Sequence, residues 1–179
     1  MKPWVMMAAA AVLAAGGAGF GPAGAQPKGE KMAAKEQMSA DAKRGRYLVQ
    51  VAGCNDCHTP GYAPSESRVD EKLWLTGDIL GWRGPWGTTY PANLRLTAQK
   101  LTEDQWVALA TSKALRPPMP WFNVRDMTGR DVRAIYRYLK WMGPAGRPAP
   151  AYVPPDQTPS GPFVQFPAPP PGGKPPAKK

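Results

Sequence analysis

Apolar residues recur at the three- and four-residue spacing of an amphipathic helix in three segments of the chain. These segments, residues 41–52, 102–113 and 129–142, predict three helices. Thr102, the first residue of the second segment, and Thr128, directly before the third, stand where a helix-capping residue is expected. The apolar positions of the three faces are Tyr47, Leu48 and Val51; Trp106, Leu109 and Ala110; and Val132, Ile135, Leu139 and Met142.

The remaining stretches lack such a period. Between residues 59 and 101, Gly, Pro and Trp recur irregularly, which is typical of loops with short turns. From residue 144 onward the chain is rich in proline and favours extended conformations without a core of its own. The predicted fold class is therefore all-α, with a long Gly/Pro/Trp-rich loop and an extended C-terminal tail.

The N-terminus has the layout of a secretory signal peptide. Lys2 precedes an apolar run over residues 5–15, and small residues follow up to Ala25. The run is shorter than the roughly 20 residues of a membrane span, so we expect cleavage before Gln26 rather than retention as an anchor. The expected location is the periplasm, with no transmembrane span in the mature chain.

Four parts follow from these patterns. We expect a signal peptide over residues 1–25, a polar linker over 26–39, one domain over 40–143 and the proline-rich tail over 144–179.

The whole chain of 179 residues has a formal net charge of +10. Attraction to an acidic protein partner is the better explanation of this charge, since a nucleic-acid partner is not expected outside the cytoplasm.

Both cysteines and the only histidine of the chain fall within five residues, Cys54-Asn55-Asp56-Cys57-His58. The spacing C-x-x-C-H is that of a c-type haem site, in which two thiols attach the haem and the imidazole binds its iron. A redox disulfide would need a βαβ pattern, and a zinc site would need further Cys or His residues; neither is found. We therefore expect one covalently bound haem c.

A second histidine ligand is excluded because His58 is the only histidine, so methionine is the expected sixth ligand of the iron. Met119 lies in the proline-stiffened segment 116–121, which can present a weak thioether ligand at little entropic cost. A buried gap-filling role is the alternative for Met119. The other candidates after cleavage are Met32 and Met38 in the linker, Met127 beside the Thr128 cap and Met142 on the apolar stripe of the last helix.

The chain resembles the class I c-type cytochromes over about residues 40 to 143. The resemblance depends on a helix before C-x-x-C-H, a methionine loop and the aromatic-leucine pair in the last helix at residues 135–140. More narrowly, residues 75–78, 85–94 and 118–121 are similar to one repeat of the cytochrome subunits of bacterial membrane-bound alcohol and aldehyde dehydrogenases. The resemblance implies a small helical domain around one haem, with its first and last helices crossing near Gly45 and Tyr138.

Other side chains are weaker candidates for the site. Arg83, Tyr90 and Asn93 could contact the haem propionates, although exposure to solvent explains them equally well. The tryptophans are expected to line the haem crevice as apolar bulk. They are Trp74, Trp82, Trp86, Trp106, Trp121 and Trp141. The cations of the last helix are expected to form a solvated face; they are Arg130, Arg133, Arg137 and Lys140.

Together these features predict a periplasmic mono-haem cytochrome that carries single electrons between redox proteins, with His58 and Met119 as axial ligands, rather than an enzyme. One alternative is a haem subunit of a periplasmic dehydrogenase complex, with the tail as its docking element. A less favoured alternative is a haem enzyme or gas sensor with an open sixth position, for which the chain lacks a distal histidine.

Overall fold

The computed structural model describes residues 37–111 and 115–167. The expected signal peptide and nearly all of the linker lie outside these residues. The helices are α1 (Ala40–Val51), α2 (Cys54–His58), α3 (Leu94–Lys100), α4 (Glu103–Thr111), α5 (Trp121–Arg125) and α6 (Gly129–Met142), with a 3-10 turn at Glu71–Leu73. The strands are β1 (Gly81–Gly84), β2 (Gly87–Thr89) and β3 (Phe163–Gln165). The three helices predicted from periodicity are confirmed as α1, α4 and α6.

Helices α1 and α6 cross at the position that the resemblance implied. A Cβ atom added to Gly45 would lie 2.0 Å from the carbonyl oxygen of Ala134 and 2.9 Å from Cβ of Tyr138. Glycine is therefore required here, because the two helix backbones approach too closely for any side chain. The close approach also decides which face of α1 is buried. Leu48 and Val49 are buried, while Tyr47 and Val51, both predicted on the apolar face, are 57% and 59% exposed.

The core forms where α6 meets α1, α4 and the segment before β1. All four apolar positions predicted on α6 are buried. The hydrophobic side chains with the least exposure are Val49, Leu75, Ala98, Val132, Tyr138 and Leu139. Arg95 of α3 closes one end of this core, since its buried guanidinium donates to the carbonyls of Met142, Gly143 and Lys72. The bonds to Met142 and Gly143 satisfy carbonyls at the C-terminal end of α6 that no helical amide can reach.

The all-α fold class predicted from the sequence is wrong, because the described residues include a three-stranded sheet. About 43% of them are helical and 9% lie in strands, in the order β2-β1-β3. Strands β1 and β2 form an antiparallel hairpin around Pro85 and Trp86, and β3 pairs with β1 in parallel. The strands were not predicted because three or four residues are too few to show a two-residue period. In addition, β3, the parallel partner of β1, lies far along the chain in the tail.

The tail covers both edges of this hairpin. The N–H of Thr88 donates to the carbonyl of Val153 at 2.7 Å, and the N–H of Val153 donates back to Thr88 at 3.1 Å. On the opposite edge, Trp82 of β1 pairs with Val164 of β3. Residues 144–167 therefore add backbone pairing to the domain expected over residues 40–143, in the extended form that their prolines favour.

Short helices also occur where loops were expected. Helix α3 is capped by Asn93, whose side chain accepts from the N–H of Leu96 at 2.9 Å. Helices α2, α3 and α5 have five to seven residues, which is too short for an amphipathic period to be visible in the sequence. Among the helices of residues 37–111 and 115–167, none is long and apolar enough to span a membrane.

Candidate haem site

The C-x-x-C-H motif occupies its own short helix, α2, which begins directly after Gly53. Gly53 has φ +70°, a left-handed conformation that lets the chain turn sharply between α1 and α2. The hydroxyl of Thr59 donates to Asn55 and accepts from the N–H of Leu75, both at 2.8 Å. These bonds are buried and fix the helix that presents Cys54, Cys57 and His58.

The imidazole of His58 is oriented by a backbone carbonyl. Its Nδ1 lies 2.7 Å from the carbonyl oxygen of Ala92. A carbonyl oxygen only accepts, so Nδ1 holds the ring proton and Nε2 keeps a free lone pair. Burial lowers the pKa of His58, which favours this neutral form at physiological pH. The arrangement is the one that metal-binding histidines use, with one nitrogen bonded to the protein and the other left for the metal.

The two thiols are free in the structure and differ in their surroundings. Burial raises the pKa of Cys54 to about 11. Burial also raises the pKa of Cys57, with further contributions from the carboxylates of Asp56 and Asp78. Both side chains are therefore thiols rather than thiolates at neutral pH.

Two adjoining cavities lie beside α2, of about 170 Å³ and 280 Å³. We call them the inner and the outer cavity. Both are lined by His58 and Met119, together with Ala92 and Leu115, so they are two halves of one crevice. The inner cavity is also lined by Cys54, Leu94, Thr97, Trp106, Leu109, Ala110, Val124, Met127 and Ile135. The outer cavity is also lined by Cys57, Trp82, Thr89, Tyr90, Pro91, Arg116, Pro118 and Pro120.

Met119 is the methionine that shares both cavities with His58. Its loop is held by two backbone bonds, from the N–H of Met119 to Arg116 at 3.3 Å and from the N–H of Trp121 to Met119 at 2.8 Å. Met127 lines the inner cavity only, and Met142 is buried in the core. Of the two linker candidates, Met38 packs against the core and Met32 lies outside the described residues.

The crevice fits a flat, amphipathic group such as haem. The inner cavity is lined almost entirely by apolar atoms, which suits the hydrocarbon part of a macrocycle. The outer cavity adds the polar side chains of Thr89, Tyr90 and Arg116. The hydroxyl of Thr89 is buried and has no hydrogen-bond partner among the described residues. An unpaired donor of this kind is costly unless a ligand satisfies it, and a haem carboxylate at this end would do so.

Thr89 was not among the candidates proposed from the sequence, whereas Arg83, Tyr90 and Asn93 were. Tyr90 lines the outer cavity. Arg83 donates to the carbonyls of Gln157 and Pro155, and Asn93 caps α3 and donates to Ala145 and Arg147. Arg83 and Asn93 are absent from the lining that the described residues form, because both are bonded to the tail.

The tryptophans are divided between the crevice and the rest of the domain. Trp106 lines the inner cavity and Trp82 the outer one. Trp74 is buried against Tyr62, and Trp141 stacks on Tyr138 at the crossing of α1 and α6. Trp86 packs with Phe166 of the tail, and Trp121 packs edge-on against Phe122.

Acidic side chains neutralise much of the positive charge on α6. Arg137 is paired with Glu103 at 2.9 Å and also with Asp41, and Arg133 is paired with Asp104 at 2.7 Å.

Within the part of the chain that the structure describes, no group of three or more His, Cys, Asp or Glu side chains could hold a metal ion.

No protein-family model matches the chain, and no curated protein or solved structure is significantly similar to it.

Proposed function

We propose that this protein is an exported mono-haem c-type cytochrome that carries single electrons between redox proteins. The observation that supports this function most strongly is the position of His58 and Met119, which both line each half of one apolar crevice beside the two thiols. An imidazole and a thioether facing one crevice are the ligand pair of electron-carrying haems. The bound haem would supply a reversible one-electron change at its iron.

The residues of the chain would perform separate tasks. Cys54 and Cys57 would hold the haem covalently, and their thiol form at neutral pH is the form from which a thioether is made. His58 would bind the iron through Nε2, because Ala92 fixes the proton on Nδ1. Met119 would bind the iron from its proline-stiffened loop. The hydroxyl of Thr89 would donate to a haem carboxylate in the outer cavity.

The surroundings of the crevice favour electron transfer over catalysis. A thioether ligand and apolar walls both disfavour the extra positive charge of the oxidised iron, so they raise the reduction potential. A sixth ligand from the chain also leaves no position for a substrate on the iron. We therefore prefer an electron carrier to an open-site haem enzyme or gas sensor.

An acidic redox protein is the partner that we propose. The chain has a formal net charge of +10, and such a field raises encounter rates with an acidic surface. Because acids pair with Arg133 and Arg137, α6 is a weaker docking candidate than the rim of the outer cavity, where Arg116 and Pro120 are exposed. Asp56 and Asp78 lie near Cys57, so the field at this rim is mixed.

The test is to denature the mature protein in acid-acetone and to follow two methionine variants by spectroscopy. We expect the colour to stay with the protein, as covalent attachment requires. Met119→Ala should abolish the weak far-red thioether-to-iron charge-transfer band of the oxidised form and allow carbon monoxide or azide to bind.

Met127→Ala is the matched control, since Met127 lines the inner cavity but not the outer one. It should leave the band and the azide affinity unchanged. Release of free haem by acid-acetone would contradict the proposed function. Loss of the band in Met127→Ala alone would contradict the assignment of Met119.

A further inference from the structure

One tail residue makes contacts that lead directly to the proposed iron ligand. The ring of Tyr152 lies 4.2 Å, measured to its centroid, from the guanidinium carbon of Arg116. Its hydroxyl donates to the carbonyl of Trp86 at 2.7 Å. Tyr152 therefore joins the segment that contains Met119 to the β1–β2 hairpin, and both parts of the chain contribute residues to the lining of the outer cavity.

The hairpin is shaped to receive this ring. Gly87 has φ +93°, and a Cβ atom added there would lie 2.8 Å from Cε2 and 2.7 Å from the hydroxyl oxygen of Tyr152. The ring thus lies between the backbone of Gly87 and the guanidinium of Arg116. The neighbouring Val153 is fixed to Thr88 by two backbone hydrogen bonds, so the ring has little freedom to move away from β2.

The connection continues from Arg116 to Met119 through the backbone. The carbonyl of Arg116 accepts a hydrogen bond from the N–H of Met119 at 3.3 Å. Holding the guanidinium of Arg116 on the ring therefore restrains the turn from which the Met119 side chain projects into the crevice. A weak thioether ligand depends on such restraint, because each freely moving residue of its loop would oppose ligation by an entropic cost.

We propose that Tyr152 is a positioning residue for Met119, acting through Arg116, so that the proline-rich tail stabilises the sixth ligand of the haem. The proposal rests on the function proposed above. It assigns to the tail a role within the electron-transfer site, in addition to its backbone pairing with the sheet. Among the described residues that line the inner and outer cavities, Tyr152 is absent, so its role would be indirect.

The test uses the full-length mature protein and measures the affinity of the oxidised form for azide, which competes with Met119 for the iron. Tyr152→Ala should bind azide about two- to fivefold more tightly than the wild type, the factor that corresponds to loss of one exposed cation–π contact. Tyr152→Phe keeps the ring but loses the bond to Trp86, so its affinity should lie between the two. The charge-transfer band should weaken in the same order.

Phe163→Ala is the matched control. Phe163 is also a tail aromatic that packs on an arginine, since the guanidinium carbon of Arg83 lies 5.8 Å from its ring centroid. It is 40% exposed and Tyr152 is 36% exposed, so both truncations remove similar surface contacts. Phe163→Ala should leave the azide affinity unchanged. Equal effects of the two truncations, or no effect of Tyr152→Ala, would overturn the proposal.

Two further measurements separate this proposal from its premise. In a double-mutant cycle, Tyr152→Ala should have little effect once Arg116→Gln is present, and additive effects would contradict a pathway through Arg116. Hydrogen exchange at the amides of Met119 and Trp121 should become faster in Tyr152→Ala but not in Phe163→Ala. Exchange does not require haem, so it would test the restraint even if acid-acetone showed that the proposed function is wrong.

Discussion

At the scale of single residues, two neighbouring threonines of β2 have different surroundings. The hydroxyls of Thr88 and Thr89 are both buried without a hydrogen-bond partner among the described residues. Thr89 lines the outer cavity, whereas Thr88 lines neither half of the crevice as the described residues form it. An unpaired hydroxyl in a packed interior has no benefit, whereas one on a residue that lines a ligand site can donate to the ligand.

Thr89→Val should therefore lower the reduction potential of the haem protein. Without the hydroxyl, the negative charge of a nearby haem carboxylate is less compensated, which favours the oxidised iron. Thr88→Val is the control. It should leave the potential unchanged and be neutral or stabilising by up to about 1 kcal/mol, because it removes an unsatisfied group. Equal potentials in the wild type and Thr89→Val would contradict the role that we assign to Thr89.

At the scale of helices, the crossing of α1 and α6 depends on the absence of a side chain at Gly45. Gly45→Ala should destabilise the protein by at least about 2 kcal/mol in denaturant unfolding, since its Cβ atom would lie 2.0 Å from a backbone oxygen of α6. Gly129→Ala in α6 is the control, because a Cβ atom there meets nothing within 4 Å. It should be neutral or stabilising by up to about 1 kcal/mol.

An ion pair also joins these two helices and makes their packing depend on pH. The hydrogen bond from Arg44, 2.5 Å long, lowers the pKa of Asp131. Because the pKa of Asp131 is lower in the folded protein than in the unfolded chain, its ionised carboxylate stabilises the fold at pH values above the ordinary value of 3.8. This stabilisation is lost as the pH falls through the lowered pKa of the folded protein. Asp131→Asn should therefore reduce stability at pH 7, and the difference from the wild type should vanish in acid.

Asp126→Asn is the control for this pH dependence. The pKa of Asp126 is also lowered, chiefly by a hydrogen bond from Arg125, but the two residues are adjacent in sequence and join no separate elements. We expect a smaller loss of stability than in Asp131→Asn when urea midpoints are compared at pH 7. An equal loss would show that local charge, rather than the tie between α1 and α6, is responsible.

At the scale of the whole molecule, the tail contributes strand pairing on both edges of one hairpin. Removing residues 149–179 would leave β1 and β2 as an isolated two-stranded hairpin, which is marginal in water. Amide hydrogen exchange of residues 81–89 should then become fast, while the amides of α1 and α6 stay protected. Loss of protection in α1 and α6 as well would mean that tail and helices unfold as one cooperative unit.

The sequence by itself determined the features that are local. The amphipathic period located α1, α4 and α6, because a helix of nine or more residues repeats its apolar face often enough to be recognised. The spacing of Cys54, Cys57 and His58 predicted the kind of site, and the prolines around Met119 predicted a stiff loop. These inferences need only residue types at short separations.

The tertiary structure decided what depends on distant partners. The sheet needs Val153 and β3, which lie more than sixty residues beyond the hairpin, so no local pattern could predict it. The buried face of α1 is set by the approach of α6 at Gly45, which outweighs the apolar character of Tyr47. Thr89 is a site candidate because it lines the crevice and folding leaves its hydroxyl buried and without a partner among the described residues. Arg83 points to the tail because two backbone carbonyls there accept hydrogen bonds from its guanidinium.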